Sequence, residues 1–271
     1  MPGVETLHTL QYGEGDGTVV FLHGLFGQGR NWNTIGKALA ADHRITLVDL
    51  PNHGRSAWTD RIDHAEMADT VADEVLVPLA EAGRVALVGH SMGGKVAMLL
   101  ALRHPELVER LVVVDMSPVD YGAAREFTGY IDAMRGLDLA TIGDRGEADR
   151  LLEPAVSNTV VRSFLLQNLR RDRQENRPGG WRWQPNLDVL ARDIGQLSRW
   201  PSEAVDAMAP YSGPVLWVAG AESDYIKPEY DEAMTRLFPR KRLVTIKGAG
   251  HWVHSEKPEI FIDVLRTFLT S

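Results

Sequence analysis

Along this chain, short apolar runs alternate with longer segments whose apolar positions recur at helical spacing. Thr18 to Leu22, Arg44 to Leu50, Val85 to Val88, Leu111 to Val114, Val215 to Ala219 and Arg242 to Ile246 read as strands. Leu7 to Tyr12 reads as an edge strand, closed by the turn cluster Gly13 to Gly17. Helices are predicted at Asn33–Ala41, His64–Ala82 (bent by Pro78), Lys95–His104, Glu229–Leu237 and Pro258–Leu269. Strands that are apolar throughout and separated by helices fit the centre of a parallel sheet covered on both faces.

The rhythm breaks after Pro118. Helical patterns at Ala124–Met134, Ala148–Leu152, Val160–Leu169 and Leu187–Gln196 follow without a convincing apolar strand. A polar loop, Arg170 to Gly180, precedes Trp181-Arg182-Trp183, and strand character returns at Val215. The pattern predicts a core of residues 1–118 and 211–271 interrupted by a helical insertion at 119–210.

The apolar run at Val85 ends in Gly89-His90-Ser91-Met92-Gly93, a G-x-S-x-G between a predicted strand and a predicted helix. In that setting the serine stands on a tight turn clear of the sheet, and the glycines keep Cβ atoms out of the crowded crossing. The helix that follows directs its unpaired N–H groups and positive dipole end at whatever binds the serine. By itself the pattern also fits a glycine-rich loop with an incidental serine, so partners elsewhere decide.

Three such partners lie at predicted strand ends, where open α/β sheets place ligands. His251 follows the last strand and the flexible Gly248-Ala249-Gly250; a neutral imidazole there accepts a serine proton if an acid holds its other nitrogen. His254 is the local competitor and reads as a helix-terminal residue. The acid has two candidates. Asp115 directly ends the strand after the nucleophile's helix. Asp224 follows the next strand, but counting from Gly220 the acid slot of a G-x-x-D-x-x-V-x-P frame falls on Ser223, which leaves Asp224 one residue out of register. That favours Asp115 and keeps Asp224 as the alternative. The backbone N–H of Leu25, in His23-Gly24-Leu25-Phe26-Gly27, pairs with that of Met92 as the two donors an acyl-transfer oxyanion requires. Phe26 is the alternative donor. His23 reads as a turn-stabilising residue, and Asp49 and His53, in the loop Asp49 to Ser56, as structural ties.

The motifs His23–Gly27, Asp49–Ser56, Gly89–Lys95, Val114–Pro118, Trp181–Trp183 with Asn186-Leu187, and Gly250–His254 resemble the α/β-hydrolase superfamily over the whole chain. More narrowly the chain is similar to the short-chain esterases of the YbfF-like branch and their mitochondrial abhydrolase-domain relatives. The resemblance implies a mostly parallel eight-stranded sheet flanked by helices, with 119–210 as a helical cap over the strand ends. It also implies that the acid is Asp115. The extra carboxylate of Asp224 departs from the family pattern.

These observations predict a serine hydrolase of short- or medium-chain carboxylic esters or thioesters, working through an acyl-enzyme. An acyltransferase or C–C bond hydrolase on the same triad is the alternative, and a ligand receptor retaining the fold is the non-enzyme alternative. Pocket walls are expected from Phe26, His90, Phe127, Tyr130, Phe164, Leu165, Trp181, Trp183 and Trp252, or else the cap aromatics among them form the cap's own small core. Dehalogenase and epoxide hydrolase chemistry is disfavoured, because both need a carboxylate where Ser91 stands.

Composition narrows the rest. With 44% hydrophobic and 24% charged residues the chain reads as an ordinary globular protein. A net charge of −8 without a Lys/Arg cluster argues against nucleic acid or an anionic membrane as a partner. The absence of cysteine excludes disulfides, thiolate catalysis and Cys-ligated zinc, and no cofactor or metal is expected. The Arg170–Arg177 run reads as a solvated loop, the alternative being a dock for a phosphate-bearing carrier such as coenzyme A. The Met1 to Thr6 start lacks signal-peptide character and no apolar run reaches membrane-spanning length. A cytoplasmic monomer or homodimer acting on a small-molecule substrate is the expectation.

Overall fold

Successive side chains of a strand point to opposite faces, and here that alternation divides the core in two. Val20 and Leu22, Val85 and Leu87, Leu111 and Val113, and Val215 and Trp217 pack on one face of the sheet. Val19 and Phe21, Ala86 and Val88, Val112 and Val114, and Leu216 and Val218 pack on the other. A strand buried on both faces has no polar side to show, which explains the continuous apolar runs.

The computed structural model describes residues 6–122, 125–171 and 180–271. In chain order the first half runs β1 (Thr9–Tyr12), β2 (Gly17–Leu22), α1 (Asn33–Leu39), β3 (His43–Val48), α2 (His64–Val71) and α3 (Val77–Leu79). Then come β4 (Val85–His90), α4 (Met92–Arg103) and β5 (Val108–Val114). Off the sheet lie α5 (Arg125–Arg135), α6 (Arg145–Leu152), α7 (Thr159–Leu166), the short β6 (Leu169–Arg171) and β7 (Trp181–Trp183), α8 (Leu187–Ser198) and α9 (Ser202–Val205). The chain closes with β8 (Val215–Gly220), α10 (Asp231–Leu237), β9 (Lys241–Ile246), α11 (Val253–Glu256) and α12 (Pro258–Leu269).

The main sheet has the order β1-β3-β2-β4-β5-β8-β9. All neighbours are parallel except the antiparallel edge pair β1–β3. Among the described residues it has seven strands where eight were expected. Helix α4 carries apolar residues all round and is buried along its length except at Arg103, as a helix between sheet and outer layer should be. The long helix expected at His64–Ala82 changes winding along its length. Ala72–Leu76 forms a wide π turn just ahead of Pro78, which lacks an N–H and crowds the carbonyl four residues earlier.

Two differences from the sequence reading fall in the insertion. The antiparallel pair β6–β7 was not expected, because three-residue strands are too short to carry a periodic signal. Residues 172–179 of the arginine-rich stretch, and Ala124 at the start of the predicted Ala124–Met134 helix, lie outside the described residues. Among the described residues no helix is long and apolar enough to cross a membrane.

Candidate active site

Ser91 is the single residue between β4 and α4, and it adopts φ 53°, ψ −119°. A non-glycine residue in this region is strained and persists only where its surroundings over-determine it. Here the Ser91 N–H donates to the Val114 carbonyl at 3.1 Å, and its own carbonyl accepts from Gly94 and Lys95 at 2.8 and 3.1 Å. Strand and helix cross too closely for side chains. A Cβ on Gly89 would lie 2.2 Å from the Gly93 carbonyl oxygen, and one on Gly93 2.5 Å from that of His23. The glycine spacing is therefore steric in origin.

Asp115 stands one residue beyond β5 in the same way, at φ 51° and fully buried. Its N–H donates to the Val218 carbonyl at 2.9 Å, so the register that carries Ser91 past Val114 carries Asp115 past Val218. The carboxylate accepts from the Gly220 N–H at 3.1 Å on Oδ1 and from the Ser223 hydroxyl on Oδ2. His251 approaches from the loop after β9, with Nδ1 2.7 Å from Asp115 Oδ2 and Nε2 2.9 Å from Ser91 Oγ. A carboxylate can only accept, so Nδ1 carries the proton and Nε2 is left as the acceptor for the serine hydroxyl. Such an imidazole can take a proton from the serine and later return it to a leaving group.

Asp224 lies elsewhere. It lines an open cleft that Ser91 also lines, while the His251 Nδ1 position is occupied by Asp115. Ser223, in the slot where the G-x-x-D frame would put an acid, donates to Asp115 instead. The register count contained this signal. Tyr225, which the sequence reading missed and no motif marks, lies flat on His251 with ring centroids 4.1 Å apart and planes at 24°.

The His23–Gly27 segment closes as a turn, Gly27 N–H to Gly24 carbonyl at 2.9 Å. His23 Nδ1 donates to the Gly24 carbonyl at 2.8 Å and Nε2 accepts from the Leu50 N–H at 2.9 Å. Burial holds this imidazole's pKa below the usual histidine range, so it is a neutral strut. Phe26 has φ 59°, and its carbonyl is held by Asn168 Nδ2 at 2.7 Å from the insertion. Leu25 and Met92 both line the cleft beside Ser91. Met92 begins α4, so its N–H is one of those that a first helical turn leaves without an intrahelical acceptor.

Two spaces meet at Ser91. A narrow slot of about 30 Å³ is lined by Phe26, His90, Phe127, Tyr130, Phe164, Leu165, His251 and Trp252 among others. An open cleft of about 500 Å³ runs along Met92, Met116, Tyr121, Ile194, Tyr225 and Tyr230, with Asp120, Glu126, Asp224 and Lys227 also in its wall. Leu25, Ser91 and Phe127 line both. Trp181 and Trp183 are not brought to Ser91. Their indole N–H groups donate to the Ile142 and Met134 carbonyls at 2.9 Å, and they border a separate groove with Trp58 and Arg135. Both rings, carried by the β6–β7 pair, are buried in the hydrophobic core that the insertion shares with one face of the sheet, so the expectation that they wall the pocket is corrected.

Behind the serine, His90 donates from Nε2 to the His251 carbonyl at 2.9 Å, and its ring lies 4.7 Å from that of His254. Burial holds His90 well below the ordinary histidine range and His254 down to about 3. Both are thus neutral and add no cation beside His251. Asp49 ties its loop down through the Gly29 and Arg55 N–H groups at 2.6 and 2.9 Å. No group of His, Asp or Glu side chains suited to a metal ion occurs among the described residues.

A family model described as the alpha/beta hydrolase fold matches residues 17–258. The chain is 38% identical over 265 residues to the mouse (Mus musculus) sn-1-specific diacylglycerol lipase ABHD11, covering 94% of this chain and 83% of that one. It is 30% identical over 263 residues to esterase YbfF of Escherichia coli, covering 96% of each. Among solved structures, a marine microorganism esterase superposes with a TM-score of 0.90 at 31% identity, covering 98% of this chain and all of that one.

Proposed function

The chain belongs to the α/β-hydrolase fold family and is a carboxylic ester hydrolase of the esterase/lipase type, and from that premise we propose that it works through an acyl-enzyme on Ser91. Ser91 is the nucleophile, His251 the base and then the acid, and Asp115 the carboxylate that orients His251. The observation that carries this reading is the continuous line Ser91 Oγ, His251 Nε2, His251 Nδ1, Asp115 Oδ2, with links of 2.9 and 2.7 Å.

As Ser91 Oγ attacks the ester carbonyl, its proton passes to His251 Nε2. The imidazolium that forms is stabilised by the buried carboxylate of Asp115, which also accepts from Gly220 and Ser223. Negative charge develops on the carbonyl oxygen, and the N–H groups of Leu25 and Met92, residues beside Ser91 in the cleft wall, serve as its donors. His251 then protonates the departing alcohol or thiol. Water, deprotonated by His251, releases the acid from Ser91 by the same steps reversed.

Residues 119–210 serve as a cap: α5 supplies Phe127 and Tyr130, and α7 supplies Val161, Phe164 and Leu165, to the roof of the slot. A roof of this kind excludes water and strengthens electrostatic interactions beneath it. The unequal spaces that meet at Ser91 support an ester or thioester with one short arm. The test is turnover of p-nitrophenyl esters of increasing acyl length by wild type and Ser91→Ala, with fluorophosphonate labelling in parallel. A loss of about 10⁴-fold or more in kcat, together with loss of the label, is expected for removal of the nucleophile. Undiminished turnover in Ser91→Ala would refute the assignment.

A further inference from the structure

Lys95 is the one cation in the serine-turn motif, and the mechanism above does not use it. It lies on α4, one helical turn beyond Ser91, and has no exposed surface. Its ammonium donates to the carbonyls of Ser198 and Arg199 at 2.7 Å and of Leu197 at 3.3 Å. These are the last two carbonyls of α8 and that of the residue capping it, where a helix leaves acceptors unpaired and its dipole favours a cation.

The contact does not stop there. Lys95 Nζ lies 5.1 Å from the centroid of the Tyr121 ring. The Tyr121 N–H donates to the same Ser198 carbonyl at 2.9 Å. The Tyr121 hydroxyl donates to the Tyr225 carbonyl at 2.6 Å and accepts from the Ser117 N–H at 2.6 Å. The Ser117 hydroxyl reaches the Tyr225 carbonyl too, at 3.0 Å. Tyr225 in turn is the ring stacked on His251. A continuous path of hydrogen bonds and ring contacts thus joins the end of an insertion helix to the face of the imidazole.

We propose that Lys95 is a positioning residue that clasps the end of α8 and, through Tyr121 and Tyr225, holds His251 in register with Ser91. The inference rests on His251 being the base. Burial draws the Lys95 ammonium down to about 7, partly offset by Asp120. The three carbonyls are its hydrogen-bond acceptors, and His64 and Asp120 are its titratable neighbours. An apolar side chain of the same length would fill the space equally well; the ammonium adds a directed clasp.

The test compares Lys95→Met, Tyr121→Phe and the double variant, with kcat taken per active site titrated by a fluorophosphonate so that misfolded protein is not counted. Each single variant should lose about 10-fold or more in kcat with KM for a short ester changed by less than about 3-fold. The double variant should be no worse than the weaker single, because both substitutions cut one path. Wild-type kcat per titrated site in either variant, or losses that multiply, would overturn the proposal. Should Lys95→Met fail to fold, Tyr121→Phe decides alone. His251→Ala is the control. If it keeps wild-type turnover, the mechanism itself fails; if it is inactive while the two variants are normal, only the clasp fails.

Discussion

The carboxyl edge of the sheet and the insertion above it are held in place by opposite means. At the sheet edge, backbone register does the positioning: Ser91 and Asp115 each sit one residue past a strand, each bonded through its N–H to the neighbouring strand. The insertion is tethered by side chains reaching to distant backbone. Asn168 holds the Phe26 carbonyl, Gln184 that of Gly54 and Arg30 that of Gln167, while Trp58 holds Gln184 and Lys95 the end of α8. Register is shared among many strand bonds and survives the loss of any one. A tether is one side chain with at most a few bonds between elements far apart in sequence, so the walls of the pocket are easier to disturb than its chemistry.

The comparison is broken hardest by removing the acid. Asp115→Asn should lower kcat by about 10⁴-fold, since the amide favours the wrong imidazole tautomer while leaving the fold intact. Asp224→Asn, measured beside it on the same ester, should change turnover by about 2- to 3-fold, as expected for a group on the cleft wall. The reverse ranking would move the acid to the β8 loop.

Acid should act on the whole molecule. His53, His64 and His254 are each brought by burial to about 3, from an unfolded value near 6.5. Below 6.5 the unfolded chain binds protons that the folded one refuses, so stability present at neutral pH is lost as pH falls from 6.5 towards 3. Urea midpoints followed by circular dichroism at pH 7, 5.5 and 4.5 should decline steadily. A flat profile would mean that these side chains are not neutral and buried in solution.

Asn168→Ala sharpens the contrast from the side of the tethers. It releases the carbonyl of a residue at φ 59°, next to the Leu25 donor. A loss of about 10-fold in kcat, alongside about 1–3 kcal/mol of stability for the unsatisfied buried carbonyl, is expected from kinetics and thermal melts. The smallest effect should come from Trp183→Phe, which gives up the bond to the Met134 carbonyl. Stability should fall by about 1 kcal/mol, with KM for short esters unchanged.

Much of the sheet edge was legible in the sequence because its signals are local. A buried strand is a run of apolar residues, a serine turn needs glycines two residues to either side, and a catalytic loop follows a strand end. Even the contest between Asp115 and Asp224 turned on counting from Gly220, a count that put Ser223 in the slot from which it donates to Asp115. The insertion was legible only as helices. Whether Trp181 and Trp183 faced the serine or their own core depended on the pairing of two three-residue strands, which carry no periodicity to read. Tyr225 and Asn168 left no mark in the sequence either, because their roles exist only against His251 and Phe26.

The sequence by itself determined the α/β architecture, the order of the chemical groups and the place of the serine on its turn. Each follows from steric and hydrophobic rules that act over a few residues. Tertiary structure alone decided how the space around Ser91 divides into slot and cleft, and what clasps the insertion above it. Those depend on distances between residues a hundred or more positions apart, and only the packed sheet and its tethers set such distances.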